Sequence, residues 1–402
     1  MTTSPISPAF AEHFEATTQR LRESLTELLA ELAARPDQPQ EISRRFGLNK
    51  NLAWKIARIV TAQDSVDVVP LLPGAGGLRL ALDAFAREGA SPVTIEAVRR
   101  ASAQFDEMTR THAGDRNGLE LLLSSLHPER IDRERLERSR KLAYQGNSAT
   151  LGLQVRTNFC TSFLTPALGR DGWIDLALVR GMVGFRRLRA AGNWPLVTLR
   201  SYGVQGKITP IDPATQADEA PLLKEFCSQA NPPIRSVVVG GETRFEMEAG
   251  PVGKSASLTT VFGWRLPAAA PIEGDGPDEV GEHFFRLDLP SERVQYDLLI
   301  HRDIVFPEGP KAFLYNLMPG HTAYPLSHQE DYSLPLPEKV LQLGESPHLT
   351  SPSIPKYRAI LESVCERSGW DLGAFRAFRL EVCYPPIPSF LVLAHPLAGK
   401  DS

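Results

Sequence analysis

The spacing of apolar residues changes once along this chain of 402 residues, at about residue 149. Before that point apolar residues recur every three or four positions, which is the period of an α-helix. After it, short runs rich in Val, Ile, Thr, Phe and Tyr alternate with Pro and Gly, as in strands and their turns. A chain of this length also exceeds the usual size of one domain. The sequence therefore predicts a multidomain protein, with an all-α region over 1–145 and an α+β region over 149–402.

The first predicted helix carries a stripe of leucines on one face, namely Leu21, Leu25, Leu28, Leu29 and Leu32. Further helices are predicted over 77–88, 92–112, 116–126 and 131–144. The last of these has interspersed charges, with acid-to-base pairs four residues apart, which favours a solvated connecting helix over a basic patch. The run Gly146-Asn147-Ser148 is expected to end it.

The second region is expected to form a mostly antiparallel sheet, because several neighbouring strands are joined by linkers too short for a crossover helix. Its predicted strands cover 149–156, 195–203, 235–240, 243–248, 257–264, 283–289, 292–300, 312–317, 376–384 and 389–394. Two helices are expected among them, over 174–188 and 355–368. The stretches 266–277 and 318–353, which are rich in Pro and Gly, are expected to be long loops.

The composition excludes several classes of protein. Hydrophobic residues make up 42% and charged residues 23% of the chain, as in a globular protein and unlike a disordered or fibrous one. Cys160, Cys227, Cys365 and Cys383 lack the spacing of a disulfide framework or a zinc ribbon. Residues 1–15 have no leader pattern and no segment reaches about 18 successive apolar residues, so the expected location is the cytoplasm. No cofactor, metal-ligand set or catalytic group is predicted.

Residues 39–60, which read PQEISRRFGLNKNLAWKIARIV, combine a short helix, a glycine and a second helix. Gly47 can adopt the left-handed conformation that a tight turn between two helices needs. The small Ser43 would let the two helices approach closely. The residues expected to pack between them are Ile42, Phe46, Leu48, Ala53 and Ile56. This segment resembles the helix-turn-helix module of bacterial transcription regulators.

The resemblance implies binding to double-stranded DNA through the second helix, which would begin near Asn49 or Lys50. The side chains nearest the bases would be Asn49, Lys50, Asn51 and Lys55, and those contacting phosphates would mainly be Arg44, Arg45 and Arg58. Residues 35–60 hold six basic and two acidic residues, a net charge of +4, so the rest of the chain carries −8. A local DNA-binding surface on an acidic protein would show this contrast.

The implied function is that of a DNA-binding transcription regulator whose C-terminal region senses a small-molecule or protein effector or forms oligomers. Because such modules commonly read two half-sites, a homodimer is expected. The segment differs from the usual pattern at two positions. Ser43 replaces an alanine, and Trp54 either lies on the outer face or packs against the first helix. No pair of wing strands is predicted after Val60, which favours a wingless, tri-helical helix-turn-helix.

Two other functions stay open at the level of the sequence. The tri-helical unit would also suit a protein-interaction or assembly protein, which would bind DNA no better than a control and with weak salt dependence. An enzyme would instead have its site in the C-terminal region near His301, His321 and His328, although their spacing matches no metal-binding signature. The GKS sequence at 253–255 lacks an earlier glycine that phosphate loops require, and we interpret it as part of a hairpin turn.

Overall fold

The computed structural model of this protein divides into two compact units, Met1–Ile131 and Asp132–Ser402. In its described residues the first unit is helical, and the second consists mainly of strands in antiparallel pairs. The predicted fold class, an all-α region followed by an α+β region, is therefore confirmed. The structure describes residues 8–62, 64–126, 133–190, 192–199, 208–216, 219–229, 231–239, 242–274, 276, 279–317, 332–345 and 349–399.

The helical unit is built around one hydrophobic core. The leucine stripe of the first helix is buried as predicted, with each of its five side chains at most 5% exposed. In the described residues the unit contains helices α1 (Pro8–Glu31), α2 (Pro39–Phe46), α3 (Lys50–Thr61), α4 (Ser65–Val68), α5 (Ala75–Arg87), α6 (Pro92–Ala113) and α7 (Arg116–Leu126). A short 3-10 turn, Val69–Leu71, follows α4.

Helix α1 packs along α6 and also contacts α3, so that α3 is held from its inner side. The described residues of this unit contain no strand after α3, in agreement with the wingless form that the sequence predicts. No single helix in the described part of the chain is long and apolar enough to span a membrane. The pair Ser65–Leu71 and Ala75–Arg87 meets that criterion only jointly, and it is bent by 91°.

The second unit begins with helix α8 (Arg133–Leu151) and contains a further helix, α9 (Tyr357–Ser368). Its described strands are β1 (Leu153–Pro166), β2 (Trp173–Arg187), β3 (Trp194–Leu199), β4 (Thr209–Pro210), β5 (Ile234–Val239), β6 (Glu242–Met247), β7 (Leu258–Pro271), β8 (Glu273–Gly274), β9 (Val280–Leu287), β10 (Ser291–His301), β11 (Lys311–Asn316), β12 (Leu341–Glu345), β13 (Phe375–Cys383), β14 (Ser389–Pro396) and β15 (Ala398–Gly399).

Seven of these strands form one large sheet in the order β12-β13-β10-β1-β2-β7-β4, in which only the central pair β1–β10 is parallel. Helix α9 covers one face, packing Tyr357 and Leu361 against Phe159. The other face packs against the small sheet β11-β14-β9, where Phe285 meets Tyr296. Because both faces are covered, β1 is an almost unbroken run of buried residues.

The predicted helix over 174–188 is wrong, because this segment forms strand β2. β2 lies between β1 and β7 in the large sheet, so it needs apolar residues on both faces. Periodicity alone does not separate such a strand from a buried helix. A residue that would have favoured the strand is Gly181, where an added Cβ would come within 2.3 Å of the Phe159 ring of β1.

Helix α8 also differs from the prediction. It continues through 146–148 and ends at Leu151, so that the predicted strand over 149–156 begins only after it. Most of this helix is exposed, as predicted for a solvated helix, but one face is buried, because Arg140 is only 7% exposed and pairs with Glu338 at 2.6 Å. The helix belongs to the second unit, and the predicted domain boundary falls inside it.

Two predicted loops contain strands. Most of 266–274 belongs to β7 and β8, and β12 lies within 318–353. Residues 318–331 and 346–348 are outside the described part of the chain. The expected hairpin turn around 253–255 is also wrong, because β6 belongs to the small sheet β3-β6-β5 while β7 belongs to the large sheet.

Candidate nucleic-acid interface

Helix α2 has local sequence signals at both of its ends. Pro39 occupies the first turn, where its missing N–H costs nothing and its restricted φ suits a helix. Arg44 and Arg45 lie in the last turn, where positive charge interacts favourably with the helix dipole. Ile42, Ser43 and Phe46 face inward and are buried, which leaves both arginines exposed to solvent.

The turn between α2 and α3 is centred on Gly47, whose φ of 64° and ψ of 26° are left-handed. An added Cβ at this position would meet no atom within 4 Å, so the need for glycine comes from the backbone conformation alone. The backbone N–H groups of Gly47 and Leu48 both donate to the Ser43 carbonyl. The Ser43 hydroxyl donates to the Leu48 carbonyl at 2.8 Å. Ser43 therefore stabilises the turn as well as being small, which sequence reasoning missed.

Helix α3 begins with a side-chain cap. The Asn49 Oδ1 accepts a hydrogen bond from the Asn51 backbone N–H at 2.8 Å, which satisfies one of the unpaired amide donors at the helix start. The side-chain oxygen of Asn49 is therefore hydrogen-bonded within the protein. Asn49 as a residue is exposed, which leaves its amide nitrogen to the solvent. The signal for this cap was present in the sequence, since Asn is among the preferred residues at that position.

The inner face of α3 packs as predicted. The five residues expected between the two helices are all buried, at most 8% exposed: Ile42, Phe46, Leu48, Ala53 and Ile56. The Phe46 ring meets the Phe85 ring of α5 edge to face, with ring centroids 4.9 Å apart. The two helices are thus anchored in the core of the helical unit, and the opposite side of α3 is left to the solvent.

The outer face of α3 presents Lys50, Asn51, Trp54 and Arg58, all of which are exposed, and Lys55 is half-buried at its edge. Trp54 is 44% exposed, so of the two orientations that the sequence left open it takes the outer one. Tryptophan is enriched at the energetic centres of protein interfaces, so an exposed Trp54 among basic and amide side chains is consistent with a binding surface. We call the α2–α3 surface the half-buried Lys55 together with the exposed residues Arg44, Arg45, Asn49, Lys50, Asn51, Trp54 and Arg58.

The basic residues of the α2–α3 surface form no ion pair within 4.0 Å among the residues that the structure describes. Arg35, which precedes α2, instead pairs with Asp37 at 2.6 Å. The guanidinium carbon of Arg45 lies 5.0 Å from the centroid of the Phe46 ring, a cation–π contact that leaves its donors exposed. The charges of the α2–α3 surface are therefore available to an anionic partner.

The histidines named for an enzyme site are only partly described. His321 and His328, with the neighbouring Glu330 and Asp331, lie outside the described residues. The Nδ1 atom of His301 lies 3.4 Å from the Asp303 carboxylate, and its ring packs edge-on against Phe375. Within the described ranges, no group of three or more His, Cys, Asp or Glu side chains could hold a metal ion.

The described cysteines of the second unit are unsuited to nucleophilic chemistry. Burial raises the pKa of the Cys160 and Cys365 thiols to about 12, so both stay protonated at neutral pH. Asp297, Tyr357 and Arg379 form a polar cluster, but they are buried and hydrogen-bonded to one another. Such a filled cluster is part of the core and leaves no room for a substrate.

No protein-family model matches the chain, and no curated protein is significantly similar to it. Among solved structures, part of the chain is similar to the crystal structure of a "putative protease" from Parabacteroides distasonis, with 6% sequence identity and a TM-score of 0.30. The similarity covers 61% of this chain and 40% of that protein, so the chain spans less than half of that protein's length. A likeness this weak carries no argument about function.

Proposed function

We propose that this protein is a cytoplasmic transcription regulator that binds double-stranded DNA through the α2–α3 surface. The observation that supports this proposal is the outer face of α3, where exposed Trp54 and Asn51 lie among basic side chains without ion-pair partners. Unpaired positive charge on an exposed helix attracts the phosphate backbone, and amide side chains suit the edges of bases.

Each residue has a role in this proposal. Arg44, Arg45 and Arg58 would neutralise phosphates, and Lys50, Asn51 and Lys55 would lie nearest the bases. Asn49 would contribute through its amide nitrogen, because its side-chain oxygen caps α3. Trp54 would add an apolar contact, such as one with a thymine methyl group.

We further propose that the protein acts as a homodimer on two half-sites, with the second unit sensing an effector or holding the dimer together. The net charge of the chain outside residues 35–60 is −8, so the remainder of the protein would be repelled by DNA. This repulsion would orient the α2–α3 surface toward the duplex.

A protein-interaction module is the second candidate, and exposed Trp54 favours it as well, because tryptophan is enriched at the energetic centres of protein interfaces. The two candidates differ in salt dependence. Displacement of counterions from DNA makes affinity fall steeply with salt, by about 0.9 in the log–log slope for each phosphate contact. A protein partner contacted mainly through Trp54 would show a shallow slope.

The deciding experiment measures the affinity of the full-length protein for a fluorescent duplex over a range of salt concentrations. The variant is Lys50→Glu with Arg58→Glu, since both side chains are exposed and Lys55 is half-buried. We expect DNA affinity to fall and the slope to decrease by about 1, for the phosphate contact that Arg58 loses, while the change at Lys50 removes a contact near the bases.

The matched control is Arg99→Glu with Arg100→Glu on α6, which changes the net charge equally at two other exposed positions. This control should keep the parental slope. A parental slope in the α3 variant would rule out α3 as the DNA-binding helix. Retention of random and genomic duplexes at two salt concentrations, followed by sequencing, would then identify the site, which should be palindromic for a homodimer.

A further inference from the structure

Strand β5 lies at one edge of the small sheet β3-β6-β5. All six of its residues, Ile234–Val239, pair with β6 without a register shift, so the strand is regular along its whole length. On its other side β5 meets no strand of the described residues, and its backbone forms no hydrogen bond with them beyond Ile234. Within that part of the chain, a row of main-chain donors and acceptors along β5 therefore has no protein partner.

The side chains of β5 do not protect this edge against pairing. Val238 is 71% exposed and Val239 is 47% exposed, which makes the end of the strand apolar. The strand contains neither proline nor lysine, the residues that commonly prevent an edge from pairing with another strand. Its one charged residue, Arg235, is paired with Glu246 of β6 at 2.8 Å. An exposed, regular and apolar edge of this kind is a template for a further strand.

The other edge strands of the second unit carry such protection. β3 contains Pro195 with a register shift beside it, and β12 has a register shift after Gln342. The outer edge of β11 forms a bridge with Ser333, and the Arg180 side chain donates to a backbone carbonyl of β9. β4, β8 and β15 are two residues long. Among the edge strands that the structure describes, β5 is therefore the unprotected one.

The sequence of β5 is complementary to a second copy of itself. In an antiparallel pair of β5 strands related by a two-fold axis, residues on the same face of the sheet lie opposite each other. An axis through Val237 places Val237 opposite its own copy and Val239 opposite Arg235. This register joins Arg235–Val239 of one copy to the same residues of the other.

The charges beside the paired strands are also complementary. Glu242 of β6 lies beside Val239, so in the paired sheet Arg235 of the second copy falls in the same row as Glu242. Arg244 of β6 lies beside Val237, so both Val237 side chains separate it from Arg244 of the second copy. Opposite charges are thus brought into one row and like charges are kept apart.

Pairing of this kind ends with two copies. It produces one continuous sheet in the order β3-β6-β5-β5-β6-β3, whose outer strands are both β3. β3 is protected by Pro195 and by its register shift, so the sheet does not extend further. The geometry therefore favours a closed dimer over a fibre.

We propose that the second unit forms a homodimer through antiparallel pairing of β5 with β5 of a second copy. Main-chain hydrogen bonds would hold the two strands together, and the Val237 pair at the axis would fix their register. The role of this dimer in bringing two α3 helices to two half-sites rests on the proposed function, whereas the strand pairing itself does not.

The test measures the mass of the full-length protein in solution by light scattering and sedimentation over a range of concentrations. The parent should have twice the mass of one chain. Val237→Lys and Val237→Asp each place two like charges opposite each other at the axis, so each dissociation constant should rise at least about tenfold. An equimolar mixture of the two variants should restore the dimer, because opposite charges then meet at the axis.

Two substitutions at Val239 test the register. Arg235 of the second copy lies opposite, so Val239→Glu should keep the dimer and Val239→Lys should weaken it. The matched control is Val252→Lys, because Val252 is also 47% exposed and lies outside the strands of the same unit. This control should leave the dimer unchanged. Circular dichroism verifies folding, and recovery of the dimer on mixing the two Val237 variants excludes misfolding as the cause of its loss.

Three results would overturn the proposed interface. The first is a parent that stays monomeric at the highest concentration tested. The second is a dimer that both Val237 variants form as well as the parent does. The third is a mixture of the two Val237 variants that stays monomeric. An equal effect of Val239→Glu and Val239→Lys would overturn the register.

DNA binding is measured separately, by the salt dependence described above. A parental dimer that dissociates in the Val237 variants, in a protein without affinity for DNA, would uphold the interface and overturn the proposed function. Salt-dependent DNA binding by a protein that is monomeric, or whose dimer is insensitive to the Val237 substitutions, would keep the proposed function and overturn this inference. The two failures are therefore distinguishable.

Discussion

The interior of the second unit and the α2–α3 surface of the helical unit use positive charge in opposite ways. In the second unit arginines form internal pairs: Arg140 with Glu338 at 2.6 Å, and Arg379 with Asp297 at 2.7 Å. In the helical unit the basic residues of the α2–α3 surface face solvent and have no such partner in the described residues. The same residue type therefore has a structural role in one unit and is available for binding in the other.

The buried pair of the second unit illustrates the structural role. Thr161, Asp297 and Arg379 occupy adjacent positions on β1, β10 and β13. The Arg379 guanidinium donates to both carboxylate oxygens of Asp297, and the Tyr357 hydroxyl adds a bond of 2.7 Å. Burial raises the pKa of Asp297, and the guanidinium opposes that rise. Every member depends on the others, so the cluster specifies how α9 and these strands pack.

The largest expected effect comes from breaking this pair. Asp297→Ala leaves the Arg379 charge buried without its partner and should lower the free energy of unfolding by about 3–5 kcal/mol. Arg44→Met, at an exposed position without an ion pair, should change it by less than about 0.5 kcal/mol. Urea unfolding, followed by fluorescence and circular dichroism, measures the free energy of unfolding of both variants. A similar loss of unfolding free energy in the two variants would contradict the difference between the two kinds of arginine.

Acid should destabilise the second unit through His395. Burial, with a smaller contribution from the Arg376 charge, lowers the pKa of His395 from 6.5 to about 4. The unfolded chain therefore binds this proton at higher pH than the folded one, and stability is lost as the pH falls from 6.5 toward 4. The loss should reach about 3 kcal/mol.

The measurement is the urea midpoint of the second unit at pH 7 and pH 4.5, in the parent and in His395→Phe. The substitution keeps a flat ring over Phe306, whose centroid lies 3.5 Å away, and removes the titrating nitrogens. The variant should lose less stability on acidification than the parent. Identical pH dependence in the two proteins would assign the acid sensitivity to other groups.

The smallest expected effect separates two roles of Asn49, namely capping helix α3 and contacting DNA. Asn49→Ala removes the cap of α3 and should cost about 1 kcal/mol of stability. Asn49→Ser keeps a capping oxygen and should restore most of that stability. If thermal unfolding recovers in the serine variant and DNA affinity does not, the Asn49 amide nitrogen contributes to DNA binding as proposed. Full recovery of both would limit Asn49 to its structural role.

The helical unit was predictable from local signals in the sequence. The leucine stripe of α1 and Gly47 act over one or two helical turns, and the structure uses both of them as predicted. The second unit was less predictable, because β2 is covered on both faces by chain segments distant in sequence. A strand with apolar residues on both faces has no period that separates it from a helix.

The sequence by itself determined the order of helical and sheet regions and the helix–turn–helix connection, because both depend on periodicity and on the backbone preferences of single residues. Only the tertiary structure decided which charges are internal and which face solvent. Arg140 has the sequence context of a solvated helix, yet it is buried because Glu338, 198 residues away, is brought against it. Arg44 has a similar local context and stays exposed, because no acidic residue of the described ranges pairs with it.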